Sequence, residues 1–225
     1  RDQRLEKTKD RFEAWLQQVS VSDILAGDNA ELKIADGLVV HCAFDDGQED
    51  VAVNSADEKA SGQIHGAQRV DGRSRGGLQF TKGAFVDLGD VADFDDDHAF
   101  SFGAWVKTSN GDNSVVLAKT DRNKNLRGYE LSIRKGQVKA IISRRRPGYM
   151  VKVVTSDEVI QEGQWRHVFV TYDGSKRASG VAIYVDGEAH ALDVWSDALR
   201  FKGGISNGKP LLLCRSDDLD FDFVY

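Results

Sequence analysis

Alternating apolar and polar residues mark two strands in the middle of the chain, Trp165–Tyr172 and Val181–Val185. A polar, turn-rich stretch separates them, Asp173–Gly180. Asp186 and Gly187 follow the second run, and an Asp-Gly pair favours a tight hairpin because glycine adopts positive φ at little cost. The pattern therefore predicts a twisted antiparallel sheet whose turns face water.

Short apolar runs of the same kind recur after Gly37, and no stretch there has a helical period. These runs are Leu38–Phe44, Gly77–Phe80, Phe85–Leu88, Phe100–Val106, Val115–Ala118, Tyr129–Arg134, Val138–Ser143, Val151–Thr155 and Leu211–Cys214. The two prolines, Pro147 and Pro210, lie outside them, where a missing N–H costs no ladder hydrogen bond. Such spacing is typical of all-β sandwiches and jelly rolls.

The first residues of the chain follow a different period. Between positions 3 and 19, one apolar stripe recurs at steps of three and four residues: Leu5, Thr8, Phe12, Trp15, Leu16 and Val19. This spacing predicts one amphipathic helix, and residues 20–36 have the composition of a linker. The predicted organisation is a helix with its linker at 1–36 and a β domain at 37–225.

Length and charge narrow the class of protein. A chain of 225 residues fits one large β domain beside the helix. The net charge of −6 argues against a nucleic-acid-binding module, which normally carries a basic face. No apolar run is long enough to span a membrane, and the charged start carries no signal peptide. We therefore expect either a cytosolic protein or a piece excised from a longer precursor.

The two cysteines, Cys42 and Cys214, lie far apart in sequence, each inside an apolar run. Buried thiols are the simpler interpretation. A disulfide between an early and a late strand is the alternative, and it would imply an oxidising compartment. A metal site is not expected, since no CxxC motif occurs.

Three segments, in order, resemble the laminin-G-like branch of the concanavalin A-like jelly rolls. The first is GLVVHCAFDDG (37–47), similar to the opening strand and acidic turn of that family. The second combines GGLQFTKGAFVDLG (76–89) with FSFGAWVKT (100–108), whose Trp105 corresponds to an inward tryptophan. The third and strongest is GQWRHVFVTYDG followed by VAIYVDG. The resemblance implies a two-sheet antiparallel jelly-roll sandwich, concanavalin A-like, preceded by the N-terminal helix.

The same resemblance sets expectations about context. Laminin-G-like modules mostly bind carbohydrates or proteins, or act as spacers in secreted multidomain proteins, which implies an extracellular, periplasmic or cell-surface location. The FEAWL helix is similar to helices of large bacterial exported proteins that also carry cytochrome c-like domains, although no CxxCH haem motif occurs here. Family members usually end with a further closing strand. Residues 220–225 are either an atypical version of that strand, or the strand is missing.

Catalytic motifs of the expected kinds are absent from the sequence. The hydrolases of the superfamily carry a Glu-x-Asp-x-x-Glu pattern, which this chain lacks. No nucleophile-elbow serine and no HExxH occur, and the five histidines have no zinc-ligand spacing. We therefore expect a protein that is not an enzyme and that requires no cofactor.

A structural calcium ion is the one metal the sequence suggests. Calcium takes six to eight oxygen ligands from loop carboxylates and carbonyls. Asp45 and Asp46, after the expected first strand, are the main candidates, with Asp93–Asp97 and the acidic tail at 217–222 as weaker ones. The alternative is that these acids form turn hydrogen bonds and keep the sheet soluble.

Candidate ligand-binding residues lie in three polar segments. Arg144 and Arg145 precede Tyr149 in a basic loop of an acidic protein, which suits an anionic sugar or sulfate. Asp121 and Arg122 begin a second polar loop. Trp195 stands between polar residues outside the strong strands, as an exposed stacking residue would, whereas Trp105 and Trp165 alternate with core-type neighbours and are expected in the core. Each loop is equally interpretable as a solvated turn.

Together these patterns predict a non-catalytic binding or interaction module of a larger exported protein, with a glycan or neighbouring domains as its partners. A structural spacer without a small ligand is the alternative, and a glycoside hydrolase ranks third.

Overall fold

The computed structural model describes residues 37–109, 114–199 and 203–216. The chain divides into two compact units, Arg1–Leu38 and Val39–Tyr225. The predicted N-terminal helix and the expected closing segment at 220–225 lie outside the described residues. Among the described residues, no helix is long and apolar enough to cross a membrane.

Fifteen strands and three short 3-10 helices make up the described structure. The strands are β1 (Val51–Ala52), β2 (Gly62–His65), β3 (Gln68–Asp71), β4 (Gly76–Gln79), β5 (Phe85–Asp87), β6 (Phe100–Val106), β7 (Ser114–Asp121), β8 (Arg127–Arg134), β9 (Gln137–Arg145), β10 (Tyr149–Thr155), β11 (Arg166–Tyr172), β12 (Val181–Val185), β13 (Glu188–Ala189), β14 (Leu192–Asp197) and β15 (Leu212–Leu213). The 3-10 helices are Glu58–Ala60, Arg122–Lys124 and Ala178–Gly180.

The strands form three sheets. The nine-stranded sheet has the order β1-β2-β5-β15-β7-β8-β9-β10-β14, the four-stranded sheet the order β13-β12-β11-β6, and a two-stranded sheet pairs β3 with β4. Neighbouring strands in all three are antiparallel. This is the all-β, concanavalin A-like sandwich that the sequence predicts, and the predicted central hairpin is confirmed as β11 and β12 in register Val168 to Val185.

One hydrophobic core joins the two larger sheets. Alternate residues of β11, namely Val168, Val170 and Tyr172, point into it and are almost fully buried. Leu131 and Val153 of the nine-stranded sheet belong to the same cluster. Burial of each such side chain stabilises the fold by roughly 2 kcal/mol, so the period-two alternation is what holds the two sheets together.

The expected first strand is wrong. Residues 38–44 form no strand. Hydrogen bonds from the Asn54 side chain replace some of those that a neighbouring strand would make. The buried Asn54 side chain accepts a hydrogen bond from the His41 N–H at 2.9 Å and donates one to the Val39 carbonyl at 3.1 Å. A side-chain amide can satisfy the backbone of an apolar segment, so an apolar run alone does not require sheet pairing.

The sequence reasoning did not predict five of the strands, β1, β2, β3, β13 and β14. Of these, β3 is mostly exposed and polar, and half of the residues of β14 are exposed. Trp195 lies in β14, which is the edge strand next to β10. The prediction that Trp195 lies outside the strands is therefore wrong, although its exposure is confirmed at 55%.

Candidate functional site

Two hairpin connections of the nine-stranded sheet form a cleft at one end of that sheet. The β7–β8 connection contains the 3-10 helix Arg122–Lys124, and the β9–β10 connection contains Arg146 and Pro147. Since β7, β8, β9 and β10 are consecutive neighbours, alternate connections emerge at the same end. The Arg146 N–H donates to the Asn125 carbonyl at 2.9 Å and ties the two loops together.

The cleft has a volume of about 400 Å³. Its lining residues are Lys124, Asn125, Arg127, Arg144, Arg145 and Tyr149. Three of the six residues predicted as ligand contacts thus meet in one place. Sequence reasoning missed Lys124 and Arg127, and a surplus of cations at the two ends of the β7–β8 loop was the available signal.

Local backbone geometry shapes the cleft. Asn125 has a left-handed conformation, with φ 54° and ψ 51°, which ends the 3-10 helix and turns the chain into β8. The Arg145 guanidinium lies 5.1 Å from the centre of the Tyr149 ring, in cation–π geometry. Gly203 packs so closely against Arg144 that an added Cβ would lie 2.7 Å from the guanidinium. These contacts give the cleft a basic wall with one aromatic face.

The third arginine of the basic loop has a different role. Arg146 Nη2 donates to Glu130 at 3.1 Å, and Lys139 Nζ lies 3.5 Å from the same carboxylate. Burial raises the pKa of Glu130, but these two cations and the Ser132 hydroxyl outweigh it and hold the pKa below its ordinary value. In the described part of the chain, no ion pair of this kind engages Arg127, Arg144 or Arg145. Among the described residues, those three guanidiniums therefore have no carboxylate partner like the one that neutralises Arg146.

The structure places the other predicted ligand residues around the cleft instead of within its lining. Asp121 is 2% exposed and accepts a hydrogen bond from the Asn123 N–H at 3.0 Å, so it caps the 3-10 helix that carries Arg122. It also lies 3.5 Å from Lys124 Nζ. Trp195 stacks on Lys152, whose Nζ lies 4.3 Å from the ring centre. Lys152 is three residues along β10 from Tyr149, which is about 10 Å.

Two tryptophans are not in the core as expected. Trp105 is 47% exposed, because Phe100 and Phe102 set the inward phase of β6 and place Trp105 on the outer face. The interpretation of Trp105 as an inward tryptophan is wrong. Trp165 precedes β11, is half-buried and does not belong to the core cluster.

The candidate calcium ligands pair with arginines. Asp46 lies 2.9 Å from Arg69 Nη2, and Asp45 lies 3.2 Å from Arg75 Nη1. Within residues 37–109, 114–199 and 203–216, no three His, Cys, Asp or Glu side chains converge as a metal site would require. A structural calcium ion at Asp45 and Asp46 stays a prediction.

The weaker acidic candidate, Asp93–Asp97, forms turn contacts of the kind that the alternative interpretation describes. Asp95 accepts from the Ile205 N–H at 2.7 Å, and Asp96 lies 2.5 Å from Lys176 Nζ. The acidic tail from residue 217 lies outside the described residues.

No disulfide joins the two cysteines, which are thiols. Burial, with a smaller effect of Asp46, raises the pKa of Cys42 to about 11, and burial raises that of Cys214 to about 12. Both cysteines are half-buried, and both thiols therefore stay protonated at neutral pH.

Comparisons with known proteins agree with this architecture. The family model of the concanavalin A-like lectin/glucanases superfamily matches residues 80–220. No curated protein matches the chain.

Among solved structures, the chain is similar to the receptor-binding domain of botulinum neurotoxin C/D mosaic serotype, with 12% identity and a TM-score of 0.52 over 80% of this chain and 43% of the other. The binding domain of botulinum neurotoxin serotype D/C VPI 5993 has 9% identity and a TM-score of 0.54 over 85% and 46%. The receptor-binding domain of botulinum neurotoxin D has 14% identity and a TM-score of 0.50 over 72% and 41%. The chain spans less than half the length of these structures, and the likeness concerns the fold. On the family match, the chain belongs to the concanavalin A-like lectin/glucanases superfamily.

Proposed function

We propose that this domain is a non-catalytic binding module that recognises an anionic glycan in the cleft between the β7–β8 and β9–β10 connections. The observation that carries the proposal is the lining itself. Four of its six side chains are cationic, and none is a carboxylate. In a protein with a net charge of −6, this local excess of positive charge favours an anion.

The residue types of the cleft suit a sugar acid or a sulfated sugar. Guanidinium groups bind carboxylate and sulfate oxygens through paired, charge-assisted hydrogen bonds, and Arg127, Arg144 and Arg145 supply such groups. Tyr149 adds an aromatic side chain to the lining, with its ring in contact with the Arg145 guanidinium. Trp195 is exposed on the neighbouring strand β14, and stacking of a further unit of a longer glycan on it is part of the proposal.

The environment of Glu130 supports a non-catalytic role. A retaining glycosidase needs two carboxyl groups about 5–5.5 Å apart, one of them able to donate a proton. Glu130 is instead 3% exposed, paired with Arg146 and Lys139, and held below its ordinary pKa. These contacts favour the ionised form of Glu130, which is the opposite of what a general acid needs.

The wider context is part of the same proposal. The similar structures are receptor-binding domains of a toxin, which supports a recognition role for this fold. We propose that the domain belongs to a larger exported protein, located outside the cell, in the periplasm or on the cell surface, and that the glycan or neighbouring domains are its partners.

A titration with anionic polysaccharides tests the proposal. Heparin, polyglucuronate and dextran sulfate are titrated calorimetrically against the domain, with unmodified dextran as the neutral reference. We expect binding of at least one polyanion that weakens as salt is added, since screening reduces each cation–anion contact. The double variant Arg144→Ala and Arg145→Ala should bind at least tenfold more weakly, because a hydrogen bond to a charged group contributes about 1.5–3 kcal/mol.

The matched control is Arg134→Ala with Lys135→Ala, which removes the same charge at the opposite end of β8. It should leave affinity unchanged. Equal losses in both variants would mean that net charge and not the cleft binds the polymer. If no polyanion binds, the spacer interpretation replaces this proposal, and release of reducing ends from any polysaccharide would overturn the non-catalytic role.

A further inference from the structure

Lys119 of β7 is a buried charged residue that the proposed function does not use. Its side chain is 1% exposed, and among the described residues no other lysine or arginine is buried. It lies opposite the core residue Tyr129 in the ladder, so it is on the core side of β7. Lysine is almost never fully buried unless its charge is paired, because the ammonium ion loses its hydration. The groups around this ammonium therefore decide how its charge is compensated.

Two carboxylates and one carbonyl contact the ammonium group. Lys119 Nζ lies 2.6 Å from Asp90 Oδ1 and 3.9 Å from Asp93 Oδ1. It also donates a hydrogen bond to the Lys209 carbonyl. Asp90 follows β5 and Lys209 precedes β15, and the strands β5, β15 and β7 are consecutive in the nine-stranded sheet. One lysine thus joins the connections of three neighbouring strands.

The Lys119 nitrogen and the Asp90 carboxyl group are close enough to react. The carboxyl carbon Cγ is one bond beyond Oδ1, so Nζ lies about 3–3.5 Å from it, which is the separation of a near-attack conformation. Groups held in such a geometry react as if their concentration were about 10⁵–10⁸ M. An amide formed between them is neutral, so the reaction removes the charge that is buried at Lys119.

Asp93 is placed to carry a proton for this reaction. Its carboxylate accepts hydrogen bonds from the Ser206 hydroxyl and, at 3.1 Å, from the Asn207 N–H, which fix it beside the lysine. A carboxylate held near an amine can take a proton from the nitrogen and pass it to a leaving group. The Asp90 side chain is 56% exposed, so a water molecule that is released there has a path to the solvent.

We propose that Lys119 and Asp90 form an intramolecular isopeptide bond, with Asp93 as the general base. A proton first passes from the ammonium to the Asp90 carboxylate, which gives a neutral amine and a carboxylic acid. The amine nitrogen attacks Cγ, and Asp93 takes one of its protons. Asp93 then returns this proton to a hydroxyl group of the tetrahedral intermediate, which leaves as water. One C–N bond forms and one C–O bond breaks, and no oxidant or reductant takes part.

The bond is a covalent link between two residues that are 29 positions apart in the chain. A link of this kind restricts the unfolded chain and so stabilises the fold. It ties the segment after β5 to β7 whether or not a ligand occupies the basic cleft, so this inference is independent of the proposed function.

The mass of the intact wild-type protein, measured after denaturation, tests the proposal. We expect it to be lower than the mass of the sequence by one water molecule. A succinimide at an Asp-Gly pair removes the same mass, so tryptic peptides have to locate the loss. Trypsin should yield peptide 83–107, which contains Asp90, joined to peptide 108–122, which stays uncut at Lys119. Fragmentation of the joined peptides should place the bond between these two side chains.

Variants assign the parts of the reaction. Asp90→Ala and Lys119→Met should have the full mass of their sequences. Asp90→Asn should lose ammonia in place of water, because the amide nitrogen is then the leaving group. Asp93→Asn should leave most molecules unlinked, since a positioned base contributes about 10²–10⁴-fold to such a rate. The matched control is Asp97→Asn, which removes a 66% exposed carboxylate from the same segment and should be linked like the wild type.

The decisive measurement needs no variant to fold. The proposal is overturned if the folded wild-type protein has the full mass of its sequence, or if the water loss maps to an Asp-Gly pair. Joined peptides that persist in Asp90→Ala would overturn it as well. A fully linked Asp93→Asn protein would contradict the role of Asp93 as the base.

Discussion

Two segments of this domain are rich in arginine, residues 69–75 and residues 144–146. They differ in the acceptors that surround the guanidinium groups. Arg69 donates to the carbonyls of Phe44 and Val51 at 2.8 and 2.9 Å, to that of Gln48, and to Asp46 at 2.9 Å. Among the described residues, no such set of acceptors surrounds Arg144 or Arg145. Arg69 is therefore a structural residue that holds the 44–51 segment, and the two cleft arginines have no comparable anchoring role.

The acceptors around an arginine, more than its exposure or its place in a loop, decide its role in this domain. Arg146 shows this within the basic loop, because its guanidinium pairs with the buried carboxylate of Glu130. A guanidinium that is held by several acceptors of the protein, as in Arg69 and Arg146, contributes to stability.

Glu130→Gln should have the largest effect, since it leaves Arg146 and Lys139 without their counter-charge in a buried place. We expect a loss of about 3 kcal/mol in the free energy of unfolding, measured by urea denaturation. The exposed Glu188→Gln on β13 removes the same charge and should change it by less than about 0.5 kcal/mol. Equal effects of the two variants would contradict the assigned role of Glu130.

The ion pairs of Glu130 also predict how the stability of the protein changes with pH. The pKa of Glu130 is lowered in the folded protein, so its stabilisation is present above its unfolded pKa of about 4.3 and is lost as the pH falls through the folded value. The native protein should therefore lose stability on acidification more steeply than Glu130→Gln. Parallel profiles of the two proteins would be inconsistent with this linkage.

Arg69→Ala should cost somewhat less, about 2 kcal/mol, because its acceptors lie near the surface where water can replace it in part. Hydrogen exchange should speed up in the 44–51 segment. The matched control is Arg75→Ala, whose side chain is 77% exposed and pairs only with Asp45, and which should cost about 0.5 kcal/mol or less. If both variants were equally mild, Arg69 would not be the anchor of this segment.

Calcium at Asp45 and Asp46 should give the smallest effect, because the ion would have to replace Arg69 and Arg75 as counter-charge. We expect a stabilisation of about 1 kcal/mol at saturating calcium, equivalent to a rise of roughly 2–4 °C in the melting temperature. Scanning calorimetry in calcium and in chelator measures it, and Asp46→Asn should abolish the difference. Identical melting temperatures of the native protein in both buffers would contradict a structural calcium ion at Asp45 and Asp46.

The strands could be predicted from the sequence where apolar and polar residues alternate strictly. The hairpin of β11 and β12 was predictable from its period of two and its Asp186-Gly187 turn, since both signals act within a few residues. The segment at 38–44 was not, because its backbone is satisfied by Asn54, more than ten residues away. Trp105 was misassigned because tryptophan suggests a core, although the phase of Phe100 and Phe102 already placed it outside.

Half of the residues that line the candidate site could be predicted from the sequence, because they lie close together along the chain. Arg144, Arg145 and Tyr149 stand out in sequence as a basic loop with an aromatic residue, and the structure places all three in one cleft. Lys124 and Arg127 join them only because the β7–β8 and β9–β10 connections emerge side by side. Asp121 looked like a ligand contact but caps a 3-10 helix, a role that its spacing to Asn123 could have indicated.

The amino-acid sequence alone determined that this chain forms an antiparallel sandwich with polar hairpin turns, because strand alternation and turn chemistry are encoded between near neighbours. Tertiary structure alone decided which of three consecutive arginines is neutralised, and which aromatic rings line up on an outer face. Those outcomes depend on residues brought together across strands, such as Glu130 with Arg146 and Trp105 with His167, and electrostatics and stacking act through space, whatever the separation along the chain.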